Sequence, residues 1–236
     1  MLRAPILNNP WMTPMISRRA KAAFYALAGP VMTANGWIWR HFRKPKVAGE
    51  HVRVQLGPGR EKYLDGWVNV DANMFTGKCD IWADLRNPLP FADGTVDAVY
   101  SHHVIEHLPD MWAHFRDVHR VLKPGGVYRV GGPNGDSAVK KLIEGDHSWF
   151  PDFPDSRTSI GGRFVNFVFC RNEHLTMLTE SFVQEIAQAA GFQEGLRKMQ
   201  TRETDFPHLF AECLKTEHEK FFDCPRTLLL EFQKAG

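Results

Sequence analysis

From residue 50 onward, short apolar runs alternate with segments in which apolar positions recur every three to four residues. The short runs read as strands: His51–Leu56, Gly66–Val70, Asp80–Ala83, Val96–Tyr100 and Val127–Val130. Between the last two, Met111–Leu122 carries apolar residues at 111, 115, 118 and 122, the period of an amphipathic helix, and Lys123-Pro124-Gly125-Gly126 stops it. Glu180–Ala190 reads as a second helix, stopped by Gly191, and Gly195–Met199 and His208–Leu214 read as late strands. Strands alternating with helices predict an α/β domain with a parallel sheet covered by helices on both faces. In such a sheet, ligands bind beyond the C-terminal strand ends, at the point where strand order reverses.

The first 49 residues differ in kind. Ala22–Trp39 is an uncharged run of 18 residues, long enough to raise the question of a membrane span. Gly29, Pro30, Asn35 and Gly36 interrupt it, so two short helices broken at Gly29-Pro30 are expected, as a helical extension over 1–49. Residues 1–50 carry a net charge of +7 and the remainder sums to −5. Trp11, Trp37 and Trp39 lie near Arg18, Arg19, Arg40, Arg43 and Lys44. The segment is expected either to lie as a lid on the domain or to touch an anionic membrane surface through residues 11–46. The expected setting is cytoplasmic, or peripheral on the inner membrane face. Four cysteines, Cys79, Cys170, Cys213 and Cys224, form no C-x-x-C pair or zinc spacing and read as reduced thiols.

Candidate chemistry collects at the strand ends. The first strand runs into Leu56-Gly57-Pro58-Gly59, a turn that lets a ligand approach the backbone. Sixteen residues after Gln55, the second strand ends at Asp71, where a carboxylate can accept ribose hydroxyls. The third leads to Asp84-Leu85 and the fourth to Ser101-His102-His103. A nicotinamide dinucleotide fits poorly, because Lys62 occupies the place of the third glycine in G-x-G-x-x-G.

Taken together, Leu56-Gly57-Pro58-Gly59, Gly66-Trp67-Val68-Asn69-Val70-Asp71, Asp84-Leu85, Leu89-Pro90-Phe91, Ser101 through Leu108 and Arg120 through Gly126 resemble a known pattern. It is the "LGCG…GWxNVD…EHL…LKPGG" series of class I S-adenosylmethionine-dependent methyltransferases of the type 11-like group, and the resemblance covers roughly residues 50–214. It implies a Rossmann-like fold, with a mostly parallel seven-stranded sheet in the order 3-2-1-4-5-7-6, over residues 50–236. It also implies S-adenosyl-L-methionine as cofactor. Gln55, Gly57 and Gly59 would line its methionine and ribose portion, Asp71 would bind the ribose, Asp84 and Leu85 the adenine, and Ser101 and His102 the sulfonium end. Relatives of this type are often tied to surface-polysaccharide assembly or natural-product pathways, so the implied acceptor is a small molecule or glycan.

Two departures stand out. Gln55 replaces a position that is often acidic in the family. Only Arg60–Leu64 separates the glycine turn from Asp65-Gly66, so the helix that usually follows is compressed and one wall of the pocket should be thin. The N-terminal segment is a candidate for that wall.

Methyl transfer to a hydroxyl gains about 10²–10⁴-fold from a base that removes the acceptor proton. His103 is the first candidate, with His107 four residues on and Glu106 three residues on; His107 is otherwise read as a loop-holding residue. His147 is the second candidate. It adjoins Asp146 and an aromatic group, Trp149, Phe150 and Phe153, in a long insert over 132–171 that reads as an acceptor-side wall or an apolar lid. The apolar stripe Phe164–Phe169 reads as a strand or lid, and His174 and His208 as core, loop or acceptor-facing residues. The His/Glu pairing suggests a metal, but no complete ligand set is visible and none is expected. A scaffold protein with the same fold and little activity is the alternative. Nucleic-acid modification fits poorly, because the basic residues concentrate in the leader and no nucleic-acid module is present.

Overall fold

The computed structural model describes residues 18–45, 49–60, 62–73, 77–192 and 197–236. In chain order its elements are α1 (Arg18–Phe42), β1 (Arg53–Leu56), β2 (Val68–Asp71), β3 (Ile81–Trp82), β4 (Val96–His102), α2 (Met111–Val121), β5 (Leu122–Pro133) and α3 (Gly135–Glu144). They continue with α4 (Ile160–Phe169), α5 (Glu180–Ala189), β6 (Arg197–Met199), α6 (Pro207–Phe210) and β7 (Thr227–Gln233). The strands form one seven-stranded sheet in the order β3-β2-β1-β4-β5-β7-β6. Pairings among β1 to β5 are parallel, and β7 runs antiparallel to both neighbours. This is the architecture and order the sequence resemblance implies.

Each sheet face has its own core. On one face Val54, Leu56, Val99, Tyr128 and Val130 meet Phe115 and Val118 of α2 and Val183 and Ile186 of α5. On the other, Tyr100 and Ala98 meet Trp67, Phe210 and Cys213. Caps fix the helix starts: Asp110, Asn134, Ser159 and Thr179 each accept a hydrogen bond from a backbone N–H three residues on.

Three sequence readings change. The break expected at Gly29-Pro30 is absent, and α1 is one helix of 25 residues with Pro30 inside it. Pro30 lies on the exposed side and the Thr33 hydroxyl donates to the Gly29 carbonyl, while Met32 and Gly36 are buried on the inner side. Inner-face packing thus outweighs the one backbone bond that proline removes. Residues 208–214 are helical rather than a strand: Pro207 takes a helix-starting position in α6, and Leu209, Phe210 and Cys213 bury one helical face. The last strand is instead β7, whose Leu228, Leu229 and Leu230 are buried on both faces, which erases alternation. The Phe164–Phe169 stripe belongs to α4. The early positions of the expected strand at 195–199 lie outside the described residues, which resume within β6.

The inner side of α1 is tied to the domain by polar contacts. Asn35 Nδ2 donates to the Trp82 carbonyl at 2.8 Å, Arg40 Nη2 to the Leu89 carbonyl at 2.9 Å, and Lys21 pairs with Glu173. Its outer side carries Leu27, Val31, Trp37, Ile38 and Phe42, all exposed. No helix among the described residues is long and apolar enough to cross a membrane.

Candidate active site

The C-terminal ends of β1 and β2 and the loops after β3 and β4 surround a cavity of about 220 Å³. Its lining includes Gly57, Asp71, Asp84, Leu85, His103 and His107. Tyr25 of α1 lines one side, and the described residues between β1 and β2 hold no helix.

Gly57 is fixed by two demands. Its φ is +66°, and a Cβ there would stand 2.5 Å from Val104 Cγ2. The Asp71 carboxylate accepts from the Gly59 N–H at 2.9 Å and the Asn73 N–H at 2.8 Å, which pins the turns after β1 and β2 together. Each oxygen keeps acceptor capacity toward the cavity. Asp84 is committed differently: Arg86 Nε reaches both of its oxygens at 2.9 and 3.0 Å, and Nη2 donates to Oδ2 at 2.6 Å. The Arg86 guanidinium lies 3.6 Å from the Tyr25 ring centroid. Burial, with the Asp84 charge adding to it, raises the Tyr25 phenol above its ordinary range, so the ring presents a neutral face.

Gln55, Gly59, Ser101 and His102 do not line this cavity. Gln55 and Ser101 are buried in the sheet, and neither the Gln55 Oε1 nor the Ser101 Oγ has a hydrogen-bond partner. His102 shares a face with Tyr100, against whose ring it stacks at 6.0 Å, and its Nδ1 stands 3.2 Å from Lys62 Nζ. Burial, helped by the cationic neighbours, holds His102 well below the usual imidazole range, so it is neutral at pH 7.

Beyond β4 the chain bends sharply. His103 takes a left-handed φ of +59°, rare for a residue with a side chain and worth a functional explanation. Its Nδ1 stands 3.3 Å from Glu106 Oε1 and its Nε2 3.5 Å from the Thr227 hydroxyl. Glu106 is wholly buried (0 % exposed) in a single turn of 3₁₀ helix, Ile105–His107. Burial pushes its carboxyl up, but His103 and His107 outweigh this and leave it below its ordinary range, as a carboxylate. His107 Nε2 and His174 Nε2 stand 3.9 and 4.0 Å from the same oxygen. Burial lowers the His174 imidazole, so it too is neutral at pH 7.

The insert separates from this group. Trp149 and Phe150 are buried in a third core with Ala138 and Val168, packed against Phe164, Phe167 and Phe221. His147 is exposed in the turn after α3 and is not part of the cavity lining. His208 sits in α6, its ring 6.0 Å from that of His51.

Sequence reasoning passed over Tyr25 and Thr227 as partners of this site, and had His174 only as a core, loop or acceptor-facing residue. They come from segments far along the chain, and no local motif marks them. Glu106 was visible three residues after His103, but its complete burial was not.

Residues 69–130 match the family model described as "Methyltransferase domain". A protein of Mycobacterium sp. (strain KMS) named "Uncharacterized methyltransferase" is 51 % identical over 39 residues, 16 % of each chain. Another of that name, from Mycobacterium tuberculosis (strain ATCC 25618 / H37Rv), is 30 % identical over 128 residues, 47 % of this chain and 50 % of the relative. The chain thus spans between a sixth and a half of the length of these curated relatives. A solved S-adenosylmethionine-dependent methyltransferase from Archaeoglobus fulgidus superposes with a TM-score of 0.51 at 14 % identity, covering 92 % of this chain and 95 % of that one.

Proposed function

We propose that this chain is a class I S-adenosylmethionine-dependent methyltransferase that carries a methyl group from S-adenosylmethionine to a hydroxyl of a small-molecule or glycan acceptor, of the kind used in surface-polysaccharide or natural-product pathways. The observation that carries the reading is one cavity at the sheet edge that joins Gly57 and Asp71 to His103.

The residues suit the cofactor. The free acceptor capacity of Asp71 matches the two donors of a ribose. Leu85 and the neutral ring of Tyr25 offer apolar surface to adenine. Asp84 acts through Arg86, holding the guanidinium against Tyr25. Gly57 lines the cavity, the Gly59 N–H holds the turn to Asp71, and Gln55 and Ser101 lie in the paired ends of β1 and β4. When bound, S-adenosylmethionine supplies an electrophilic methyl carbon with a neutral thioether as leaving group.

His103 is assigned the proton of the acceptor hydroxyl. With Glu106 facing Nδ1, the favoured neutral tautomer carries its hydrogen there and leaves Nε2, beside Thr227, as the accepting atom. A base oriented by a buried carboxylate follows the logic of nucleophile activation elsewhere. His107 donates from Nδ1 to the Glu173 carbonyl at 2.9 Å and holds the loop.

The outer side of α1 supports a peripheral membrane location on the cytoplasmic side. Leu27 is 80 % exposed, Trp37 55 % and Phe42 73 %, and the exposed cations Arg19, Arg43 and Lys44 flank them. An apolar face edged by cations fits an anionic lipid interface.

Calorimetric titration with S-adenosylhomocysteine, followed by a screen of nucleotide sugars and polysaccharide fragments with radiolabelled methyl donor, tests the reading. Binding followed by label transfer supports it. A folded protein that binds neither form of the cofactor refutes it and favours a scaffold role.

A further inference from the structure

Three side chains behind the cavity present acceptors to one another with no donor between them. His107 and His174 each spend Nδ1 on a backbone carbonyl, of Glu173 and Val168 respectively, both at 2.9 Å. A carbonyl oxygen can only accept, so each Nδ1 carries the hydrogen, and the neutral form of each ring has its lone pair at Nε2. The two Nε2 atoms stand 3.9 and 4.0 Å from Glu106 Oε1, beyond hydrogen-bond range. The Glu106 carboxylate is fully buried, and apart from His103 Nδ1, 3.3 Å from Oε1, no side-chain donor is aimed at its oxygens. A buried carboxylate beside two neutral imidazoles is costly unless a positive charge sits among them.

We propose that Glu106, His107 and His174 form a site for one divalent transition cation of the zinc class. The three ligand atoms lie within 4.8 Å of one another. Ligands about 2.0–2.2 Å from a shared tetrahedral ion stand about 3.3–3.6 Å apart, so shifts of up to about 0.7 Å per side chain close the site. Carbonyl-anchored imidazoles are the usual outer support of metal-binding histidines, because they fix the tautomer that offers Nε2. Two imidazoles and one carboxylate select zinc, cobalt or iron(II) over magnesium and calcium, which take all-oxygen shells. The backbone already clamps the two contributing segments: the Leu175 N–H donates to the Glu106 carbonyl at 2.7 Å. Three protein ligands leave one coordination position open, and His107 belongs to the cavity lining. The Glu106 carboxylate would then stand between the cation and His103.

This site is independent of the methyl-transfer reading, since its test needs neither cofactor nor acceptor. The full chain, freed of any affinity tag and dialysed against chelator, is titrated with cobalt(II) and separately with zinc. The expected result is one equivalent bound, with visible absorption of tetrahedral cobalt that zinc displaces. Magnesium and calcium should not compete. His174→Ala should weaken binding at least about tenfold, the scale at which even outer partners of a metal site act. Glu106→Gln should do the same, while His208→Ala leaves binding unchanged. No bound cobalt at micromolar concentration, or unchanged affinity in a folded His174→Ala protein, overturns the proposal. Because His174 lies outside the 3₁₀ turn, its variant decides the matter even if Glu106→Gln fails to fold.

Discussion

Replacing Asp71 with asparagine separates the two tasks given to its carboxylate. The residue accepts from the Gly59 and Asn73 N–H groups at 2.9 and 2.8 Å, and its remaining capacity is assigned to the ribose. Asparagine keeps one acceptor oxygen but turns an NH2 toward one of these backbone donors, so at least one bond is lost. A hydrogen bond to a charged group contributes about 1.5–3 kcal/mol, less where the group is half-exposed, as Asp71 is. The unliganded protein should therefore lose about 1–2 kcal/mol, or about 2–8 °C in Tm for a chain of this size. The ribose loses its charged acceptor as well. S-adenosylhomocysteine should bind about 10- to 100-fold more weakly, since each 1.4 kcal/mol is tenfold. Calorimetry gives the affinity and thermal melts without ligand give the stability, so the two losses are read separately. A lower Tm with unchanged ligand affinity would refute the assignment, because it would reduce Asp71 to a loop pin.

Other residues give further tests. Arg129 is buried between Glu217 at 2.7 Å and Glu231 at 2.7 Å, and Glu217→Gln should leave its charge partly unpaired, costing about 3–5 kcal/mol and lowering the denaturant midpoint sharply. Burial lowers the His114 imidazole to about 4, against about 6.5 when unfolded, so its contribution is intact above pH 6.5 and is lost as pH falls toward 4. Urea titrations across that window should show a loss on the order of 3 kcal/mol from this group, and His114→Gln should flatten the dependence. His103→Ala should lower turnover about 10²–10⁴-fold in single-turnover kinetics while leaving S-adenosylhomocysteine affinity within about twofold; an unimpaired rate removes it as the base. Leu27→Glu with Trp37→Glu should abolish sedimentation with vesicles containing anionic lipid and leave Tm nearly unchanged, and persistent binding would remove α1 as the contact.

The parallel half of the sheet was legible because Gly57, Asp71 and the β4 end lie at strand tips, where sequence periodicity and turn chemistry coincide. β7 was not, since Leu228–Leu230 are buried on both faces and Glu231 in their midst is paired with Arg129, a partner more than 100 residues away. α6 was misread because four residues are too few to display a helical period. In α1 the local rule for Pro30 was sound, but anchoring by Asn35, Arg40 and Lys21 to residues 82, 89 and 173 overrode it. Of the residues expected to hold the cofactor, Gly57, Asp71, Asp84 and Leu85 line the cavity because each sits at or just beyond a strand tip, whereas Gln55, Gly59, Ser101 and His102 do not. Around His103, Glu106 was visible three residues on, but Thr227 beside its Nε2 and His174 beside Glu106 could not be read, because they arrive only through the fold.

The central claim is that the sheet edge between Gly57, Asp71 and Tyr25 holds the adenosyl donor and aims its sulfur toward His103. A crystal structure of the chain with S-adenosylhomocysteine tests it most directly. The account expects the ribose hydroxyls within hydrogen-bond distance of Asp71, the adenine between Leu85 and Tyr25, and the sulfur on the His103 side of the cavity. Ligand bound elsewhere, or a saturated crystal with Tyr25 and Arg86 filling this cavity unchanged, would contradict it.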